Sequence, residues 1–302
     1  MSGLQSMSQA LADAVESVGR SVVRVEARRG RPGSGLIWSA DGTILTADHI
    51  LERDEDIHVG FADGTVVEAA VAGRDATTDV AVLRPAAATD VKASNLTPAV
   101  WASLDGVRVG HLVLAVSRPG RTVRARLGII AALGERWRAP SGAELDHYVQ
   151  PDVDVSWGFS GGALVDGDGK VLGMTTTGLL DRTPLAIPGT TTRAVVSQLL
   201  AEGRVRRGFL GIGSHPVKLP AAVREKVGQR AGLIVVAVEP GSPAEQGGLT
   251  LGDVLVAIDG APVRHPGEVA ALLGGHAVGK PLAVRILRAG VLLEMTVTVG
   301  ER

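Results

Sequence analysis

Apolar positions in the first two thirds of the chain come in short runs. Residues 22–27, 35–50, 57–73 and 80–84 form strand-like stretches, and the pairs Asp41-Gly42 and Asp63-Gly64 sit between such runs as hairpin turns. Further runs follow at 111–116, 123–131, 147–150 and 163–177. Many short strands divided by turn signals predict a β-barrel or sandwich. Two segments carry helical spacing instead. Residues 8–19 place Leu11, Val15 and Val18 on one face of a short amphipathic helix. Residues 191–207 read as a helix ending near Gly203, followed by a basic connector. Beyond it the texture is mixed: an apolar segment at 219–228, strands at 232–239 and 253–260, a helix at 267–274, and strands at 281–288 and 292–299. That stretch, about 95 residues long, suffices for one small domain. The predicted organisation is an N-terminal helical segment at 1–20, a first domain at 21–203 and a second at 204–302. No fixed-period repeat of the solenoid kind is present.

Composition narrows the function. A length of 302 residues agrees with two domains. Lys and Arg number 31 against 32 Asp and Glu, for a net charge of −1. Nucleic acid and anionic membrane surfaces call for clustered cations, so both are disfavoured as partners. The eight aromatic residues (four Trp, one Tyr, three Phe) are too few for base-stacking platforms. A hydrophobic content of 45% is ample for two buried cores. Cysteine is absent, which removes disulfides, thiolate zinc sites and a Cys nucleophile together. The N-terminal residues show no basic start followed by an apolar run, and nothing approaches the ~18 apolar residues of a membrane span. Taken as written, the chain is expected in the cytoplasm, or outside it if a leader has been removed.

Three segments supply chemistry. Thr46-Ala47-Asp48-His49 ends a strand-like run, Thr78-Asp79-Val80-Ala81 opens another, and Gly158-Phe159-Ser160-Gly161-Gly162 is a glycine-rich turn. His, Asp and Ser therefore follow one another in that order, at spacings of 30 and 81 residues. A serine hydroxyl is a poor nucleophile until a neutral imidazole takes its proton. A carboxylate then fixes the imidazole tautomer and stabilises the imidazolium. Glycines beside the serine let the backbone turn tightly, so that N–H groups can face a developing oxyanion. Taken singly, each segment reads equally as a structural histidine, a turn carboxylate or a flexible glycine turn. Their joint order and strand context carry the weight.

With these residues on the page, the chain resembles the HtrA (Deg) family of trypsin-like serine proteases with one C-terminal PDZ domain. GSGLIWSADGTILTADHI (33–50) resembles the family's histidine segment, and DATTDVAVLR (75–84) its aspartate segment. VQPDVDVSWGFSGGALVDGDGKVLGM (149–174) resembles the stretch carrying the nucleophile, and LAIP (185–188) and RGFLGIG (207–213) match later landmarks. The resemblance implies a mainly β chain, a chymotrypsin-like double β-barrel followed by a small α/β PDZ domain. It implies His49 as general base, Asp79 as its orienting carboxylate, Ser160 as nucleophile, and an oxyanion hole from the N–H groups of Gly158 and Ser160. It requires no cofactor and no metal. Trimers are the assembly it suggests, with polypeptides as substrates and peptide C-termini as PDZ ligands.

The chain also departs from the family. Phe159 stands where Asn is usual, and Trp157 precedes it by two. The two rings are expected to pack on the barrel, the alternative being that they narrow the substrate pocket. Asp48 beside the histidine is expected as a solvent-facing turn residue. Asp154 lies six residues before Ser160, where trypsin-like proteases place the base of the primary specificity pocket. A carboxylate there would favour Arg or Lys before the cleaved bond, against the small aliphatic residues that HtrA members usually prefer. Asp154, Trp157 and Phe159 are thus candidate pocket residues.

In the second domain, a PDZ fold binds an extended C-terminus as an added strand and captures its carboxylate on backbone N–H groups. Gly208, Phe209, Leu210, Gly211 and Ile212 fit the carboxylate loop, and Val269, Leu272 and Leu273 on the helix are candidate pocket residues, some of them expected in the core instead. Two motifs are decoys. Residues 274–280 match G-x-x-x-x-G-K, but Pro281 follows where a phosphate loop needs Ser or Thr, and the segment follows a helix instead of a strand. Asp166-Gly167-Asp168-Gly169 lacks the further ligands of a calcium loop and reads as a hairpin turn. The leading reading is a serine endopeptidase in protein quality control, cleaving unfolded or extended polypeptides through an acyl-enzyme under PDZ regulation. The alternatives are a proteolytically silent polypeptide-binding protein or chaperone on the same fold, and a regulatory protease with one substrate.

Overall fold

The structure, a computed structural model, describes residues 2–28, 30–85, 96–155, 157–274 and 277–301. It divides into two compact units, residues 1–205 and 206–302. Helix α1 spans Gly3–Gly19, five residues earlier than the apolar periodicity alone predicts. The cause is local: the Ser2 side chain accepts from the Gln5 N–H and the Gln5 side chain accepts from the Ser2 N–H, a reciprocal cap that starts the helix. Its Ala14 and Val18 are buried in the core of the first unit.

Strands β1 (Val22–Glu26), β2 (Gly33–Ile37), β3 (Ile44–Thr46), β4 (Ile57–Gly60), β5 (Val66–Asp75) and β6 (Val80–Pro85) close into a barrel in the order β1-β2-β3-β6-β5-β4. The Asp41-Gly42 and Asp63-Gly64 pairs join β2 to β3 and β4 to β5 as antiparallel hairpins. Strands β7 (Leu112–Ser117), β8 (Arg124–Gly134), β9 (Trp137–Arg138), β10 (Glu144–Leu145), β11 (Tyr148–Pro151), β12 (Ala163–Val165), β13 (Val171–Thr176) and β14 (Leu185–Pro188) follow. Six of them form a second antiparallel sheet, β11-β8-β7-β12-β13-β14, whose end strands pack on each other, and β9 pairs with β10 alone. Residues 166–169 are the β12–β13 hairpin turn, with the Asp166 carboxylate accepting from the Asp168 and Lys170 N–H groups. Helix α2 (Gly189–Glu202) lies against β5, β6, β13 and β14 and so clasps both sheets. The architecture is the chymotrypsin-like pairing of two antiparallel β units that the resemblance implied.

The second unit begins with β15 (Gly208–Phe209) and β16 (Ile212–Lys218), then α3 (Ala221–Val227), β17 (Ala231–Val238), α4 (Pro243–Gln246), β18 (Val254–Ile258), β19 (Ala261–Pro262), α5 (Pro266–Leu272), β20 (Pro281–Arg288), β21 (Val291–Thr298) and β22 (Gly300–Glu301). Its main sheet runs β16-β17-β18-β20-β21, which among the described residues leaves one edge of β16 without a paired strand, and α5 packs near β16. Residues 275 and 276 of the G-x-x-x-x-G-K match lie outside the described residues.

One charge pair fixes the middle of that sheet. The Arg288 guanidinium donates to both oxygens of the buried Asp253 at 2.7 Å each, and the Thr250 N–H adds a third bond at 2.8 Å. Burial would raise the Asp253 pKa, but these hydrogen bonds outweigh it and hold the carboxyl below its ordinary value. A carboxylate depressed in the folded state contributes stability above its unfolded pKa, near 3.9, and loses it as pH falls through the folded value. Asp253→Asn should therefore lower the calorimetric midpoint of the second unit at pH 7 and remove part of its decline in acid. A wild-type midpoint at pH 7 in that variant would contradict this role.

Candidate active site

Asp79 opens the strand β6 from a left-handed backbone conformation, with φ of 56°, a region that Asp tolerates better than most residues. The turn before it is pinned by Asp75, whose carboxylate accepts from the N–H groups of Thr77 and Thr78 and, at 2.5 Å, from the Thr78 hydroxyl. That geometry aims the Asp79 carboxylate inward, where it is 3% exposed. His49 lies in a single 3₁₀ turn, Asp48–Ile50, beyond β3. Its Nδ1 stands 2.8 and 2.9 Å from the two Asp79 oxygens, and its backbone N–H donates to Oδ1 at 2.9 Å. The Thr176 hydroxyl, from β13 of the second sheet, donates to Oδ2, and the Gly178 N–H donates to that hydroxyl at 2.9 Å. Asp79 therefore joins the barrel to the second sheet.

Ser160 is buried in the turn before β12. The Ser34 N–H donates to the Ser160 carbonyl at 3.1 Å, and the Ser34 hydroxyl donates to the Gly158 carbonyl at 2.7 Å. The Phe159 carbonyl accepts from the Thr175 hydroxyl at 2.6 Å and from the Gly162 N–H at 2.9 Å. Three successive carbonyls are thus held by the protein, and among the described residues no hydrogen bond takes the N–H of Gly158 or Ser160 or the Ser160 hydroxyl. Those are the groups an acyl-transfer site needs uncommitted at rest. Gly161 cannot be replaced, because a Cβ there would lie 2.0 Å from the Ser34 carbonyl oxygen and 2.8 Å from the Thr46 hydroxyl, three residues before His49. His49, Asp79 and Ser160 thus converge where the two sheets meet.

Asp48 corrects an expectation. It is 6% exposed, and Arg74 on β5 donates to its carboxylate at 2.6 Å. Arg74 also bonds Asp54 at 2.6 Å and the Leu51 carbonyl at 3.1 Å. The hydrogen bond to Asp48, together with the nearby negative charges and against the cost of burial, holds the Arg74 pKa above its ordinary value. Asp48 is thus a tether of the histidine turn and not a solvent-facing residue.

The candidate pocket residues separate. Phe159 is buried in the core of the second sheet, with the Arg126 guanidinium 5.3 Å from its ring centroid. Trp157 does not pack away: it stays 45% exposed and lines an open cleft of about 440 Å³ with Arg124, Ala125, Arg126 and Phe159. Asp154 is 61% exposed and paired with Arg126 at 2.8 Å. It faces solvent with its charge answered, not a buried pocket floor. In the second unit, Leu210 is core, and Gly208 and Phe209 pair with β22. Gly211 has φ of 80°, and its carbonyl accepts from the Glu239 N–H at 2.8 Å. Ile212 starts β16. Val269 and Leu273 are buried core residues, whereas Leu272 is half-buried beside them.

Three contributors escape a reading of the sequence: Thr176, Gly178 and Ser34. The only local signals for them are the Thr-Thr-Thr-Gly run that ends β13 and the Gly-Ser-Gly at 33–35. A histidine and a buried carboxylate beside a serine held in a glycine turn, on two packed antiparallel sheets, define a serine-peptidase class of site.

The comparisons agree. The trypsin-like peptidase domain family matches residues 33–174, and the PDZ domain family residues 234–288. A probable periplasmic serine endoprotease, DegP-like, of Chlamydia muridarum is 30% identical over 93% of this chain and 56% of its own length. A probable periplasmic serine protease, do/HhoA-like, of Haemophilus influenzae is 34% identical over 85% of this chain and 56% of its own. The chain therefore spans little more than half the length of these relatives. Among solved structures, the HtrA-type protease AlgW with tripeptide is 30% identical with a TM-score of 0.75, covering 97% of both chains. The serine endoprotease from Yersinia pestis is 28% identical with a TM-score of 0.77, covering 97% of this chain and 98% of its own. This chain belongs to the HtrA (Deg) family of trypsin-like serine endoproteases with a PDZ domain.

Gly178 offers a sharp test of the site. A Cβ there would lie 2.6 Å from Asp79 Oδ2 and 2.8 Å from His49 Nδ1. Gly178→Ala should push the His–Asp pair apart, lower the thermal midpoint because the buried Asp79 is left less well paired, and, at a temperature where the variant stays folded, slow labelling of Ser160 by a fluorophosphonate about 10²-fold. Labelling at the wild-type rate would show that the pair does not need that space.

Proposed function

We propose that this protein is a serine endopeptidase that cleaves unfolded or extended polypeptides through an acyl-enzyme. The observation that carries the reading is the buried Asp79 carboxylate bonded to both the side chain and the backbone of His49, beside the glycine turn of Ser160. In it, Asp79 holds the His49 ring with Nδ1 protonated, so that the opposite nitrogen takes the Ser160 proton. The hydroxyl oxygen attacks the scissile carbonyl, and its new oxyanion is met by the N–H groups of Gly158 and Ser160. The imidazolium then gives its proton to the leaving amine, and water repeats the sequence on the ester. That hydrogen bonds of this kind stand open in a resting site and close on substrate is usual.

We assign residues 21–203 to the protease domain and 204–302 to the PDZ domain, where peptide C-termini would add along the open edge of β16 and regulate cleavage. Homotrimers and a role in protein quality control follow from family likeness. For the compartment, the relatives' names say periplasmic, which gives no support to the cytoplasmic expectation and favours a place outside the cytoplasm. Among the described residues no helix is long and apolar enough to cross a membrane.

The test is β-casein digestion by the wild type beside Ser160→Ala. Wild-type cleavage with a loss on the order of 10⁶ in the variant is expected. Absence of cleavage by both, with and without added C-terminal peptides, would favour the polypeptide-binding alternative. Because Arg126 already answers Asp154, peptide libraries should show small aliphatic residues before the cleaved bond, and Asp154→Asn should leave that preference unchanged. A basic preference lost in Asp154→Asn would restore the carboxylate as the determinant.

A further inference from the structure

Arg118 is 5% exposed, and the mechanism above gives it no part. Its guanidinium donates to three carbonyl oxygens: Gly19 at 2.6 Å, Val22 at 2.7 Å and Arg121 at 2.9 Å. Among the described residues it has no carboxylate partner. The Gly19 carbonyl belongs to the last turn of α1, where the helix leaves acceptors unpaired and its dipole is negative. That helix end is the nearest thing the charge has to a counter-ion. Burial lowers the Arg118 pKa from its ordinary value without a carboxylate to offset it.

What Arg118 holds lies at the other end of its own residue. The Arg118 N–H donates to the Ser34 hydroxyl at 2.9 Å, and that hydroxyl donates to the Gly158 carbonyl at 2.7 Å. The next residue, Pro119, stands so close to Gly158 that a Cβ on the glycine would meet the proline Cβ at 2.4 Å. Residues 118 and 119 thus fix Gly158 twice, through the Ser34 hydroxyl and through the proline ring. Ser34 is 0% exposed, so bulk water does not compete for either of its bonds.

We propose that Arg118 is a positioning residue for the oxyanion-forming turn, tying the C-terminal end of α1 through Ser34 to the backbone of Gly158. This rests on the endopeptidase reading for its kinetic consequence, though not for its structural one. A peptide group aimed at an oxyanion loses its effect when it turns by a small angle. Loosening residues 118–119 therefore slows acylation without removing any group that touches substrate. It also makes the seating of α1 a determinant of activity at a distance, with Gly19 as the contact point.

The experiment compares wild type, Arg118→Met, Arg118→Lys, Ser34→Ala and the Arg118→Met/Ser34→Ala double variant in the full chain. Each is measured for kcat and KM on a peptide ester, for fluorophosphonate labelling, for thermal midpoint, and for amide exchange of residues 157–162 by mass spectrometry. Deleting an oxyanion donor outright costs about 10²–10³ in kcat, so misplacing one should cost about 10-fold or more. Arg118→Met and Ser34→Ala should each show that fall in kcat and labelling, with KM within about twofold and faster exchange confined to the turn. The double variant should be no slower than the slower single, because both break one chain of contacts. Arg118→Lys, which keeps the charge and reaches fewer carbonyls, should recover part of the rate. Folded variants with wild-type kcat and exchange would overturn the proposal. So would losses that multiply in the double variant, or losses that only track the unfolded fraction. If the wild type itself fails to label, the endopeptidase reading falls, and the exchange comparison alone decides whether Arg118 positions the turn.

Discussion

A carboxylate taken out of water has to be matched by donors on every side, and that requirement at Asp79 organises the first unit. Its oxygens are answered by the His49 ring, the His49 N–H and the Thr176 hydroxyl. Two of these come from the barrel and one from the second sheet. Neither sheet alone can bury the charge, so the two must be closed upon each other for the aspartate to be satisfied. The pairing that poises the imidazole is then also a criterion of correct assembly. A chain with the sheets misaligned leaves a buried anion unpaired, which is among the most costly faults a core can carry.

Ser34 makes the complementary join. One residue, flanked by Gly33 and Gly35, gives its N–H to Ser160, its hydroxyl to Gly158, and its carbonyl to the Thr46 hydroxyl. The Ser160 turn is thereby registered against β2 and β3, the strands that lead to His49. Such close approach leaves no room for a side chain at Gly35, where a Cβ would come within 2.8 Å of the Ile44 side chain and 2.9 Å of the Leu45 carbonyl oxygen. Small residues at these points let backbone meet backbone, and hydrogen bonds then set the spacing to a few tenths of an ångström. Rigid elements with satisfied supporting bonds are what hold catalytic groups in productive geometry.

What was legible in the sequence was what is local in it. The hairpins at Asp41-Gly42, Asp63-Gly64 and 166–169 follow from turn chemistry, and the three catalytic candidates sit in short segments whose neighbours announce them. Contacts across the fold were not legible. Asp48 read as a solvent residue because its partner, Arg74, is 26 positions away on another strand. Ser34 sits in a recognisable Gly-Ser-Gly and Thr176 in a threonine run, but neither pattern announces a role, since a threonine or serine hydroxyl becomes an anchor only when tertiary packing brings it a partner. Val269 and Leu273 share helical spacing with the half-buried Leu272, and spacing alone does not say which of them the core claims. The early start of α1 is a different kind of miss, because its reciprocal Ser2–Gln5 cap is a four-residue pattern visible in the sequence.

The charges around Ser160 have a common arrangement. Arg74 is matched by Asp48 and Asp54, and Asp154 by Arg126, which also stacks on Phe159. Arg118 is matched by carbonyl dipoles. These three cations are therefore engaged in holding loops, and the Asp154 carboxylate is already paired. A substrate arriving there meets backbone donors, aromatic surface at Trp157 and paired ions. This surface fits the proposed cleavage of extended polypeptide better than it would fit selection for one charged residue. The substitution of a phenylalanine beside Ser160 fits the same logic: its ring gives the Ser160 turn an apolar anchor in the core of the second sheet and a cation–π partner in Arg126, so the turn is held without a further buried polar group to satisfy.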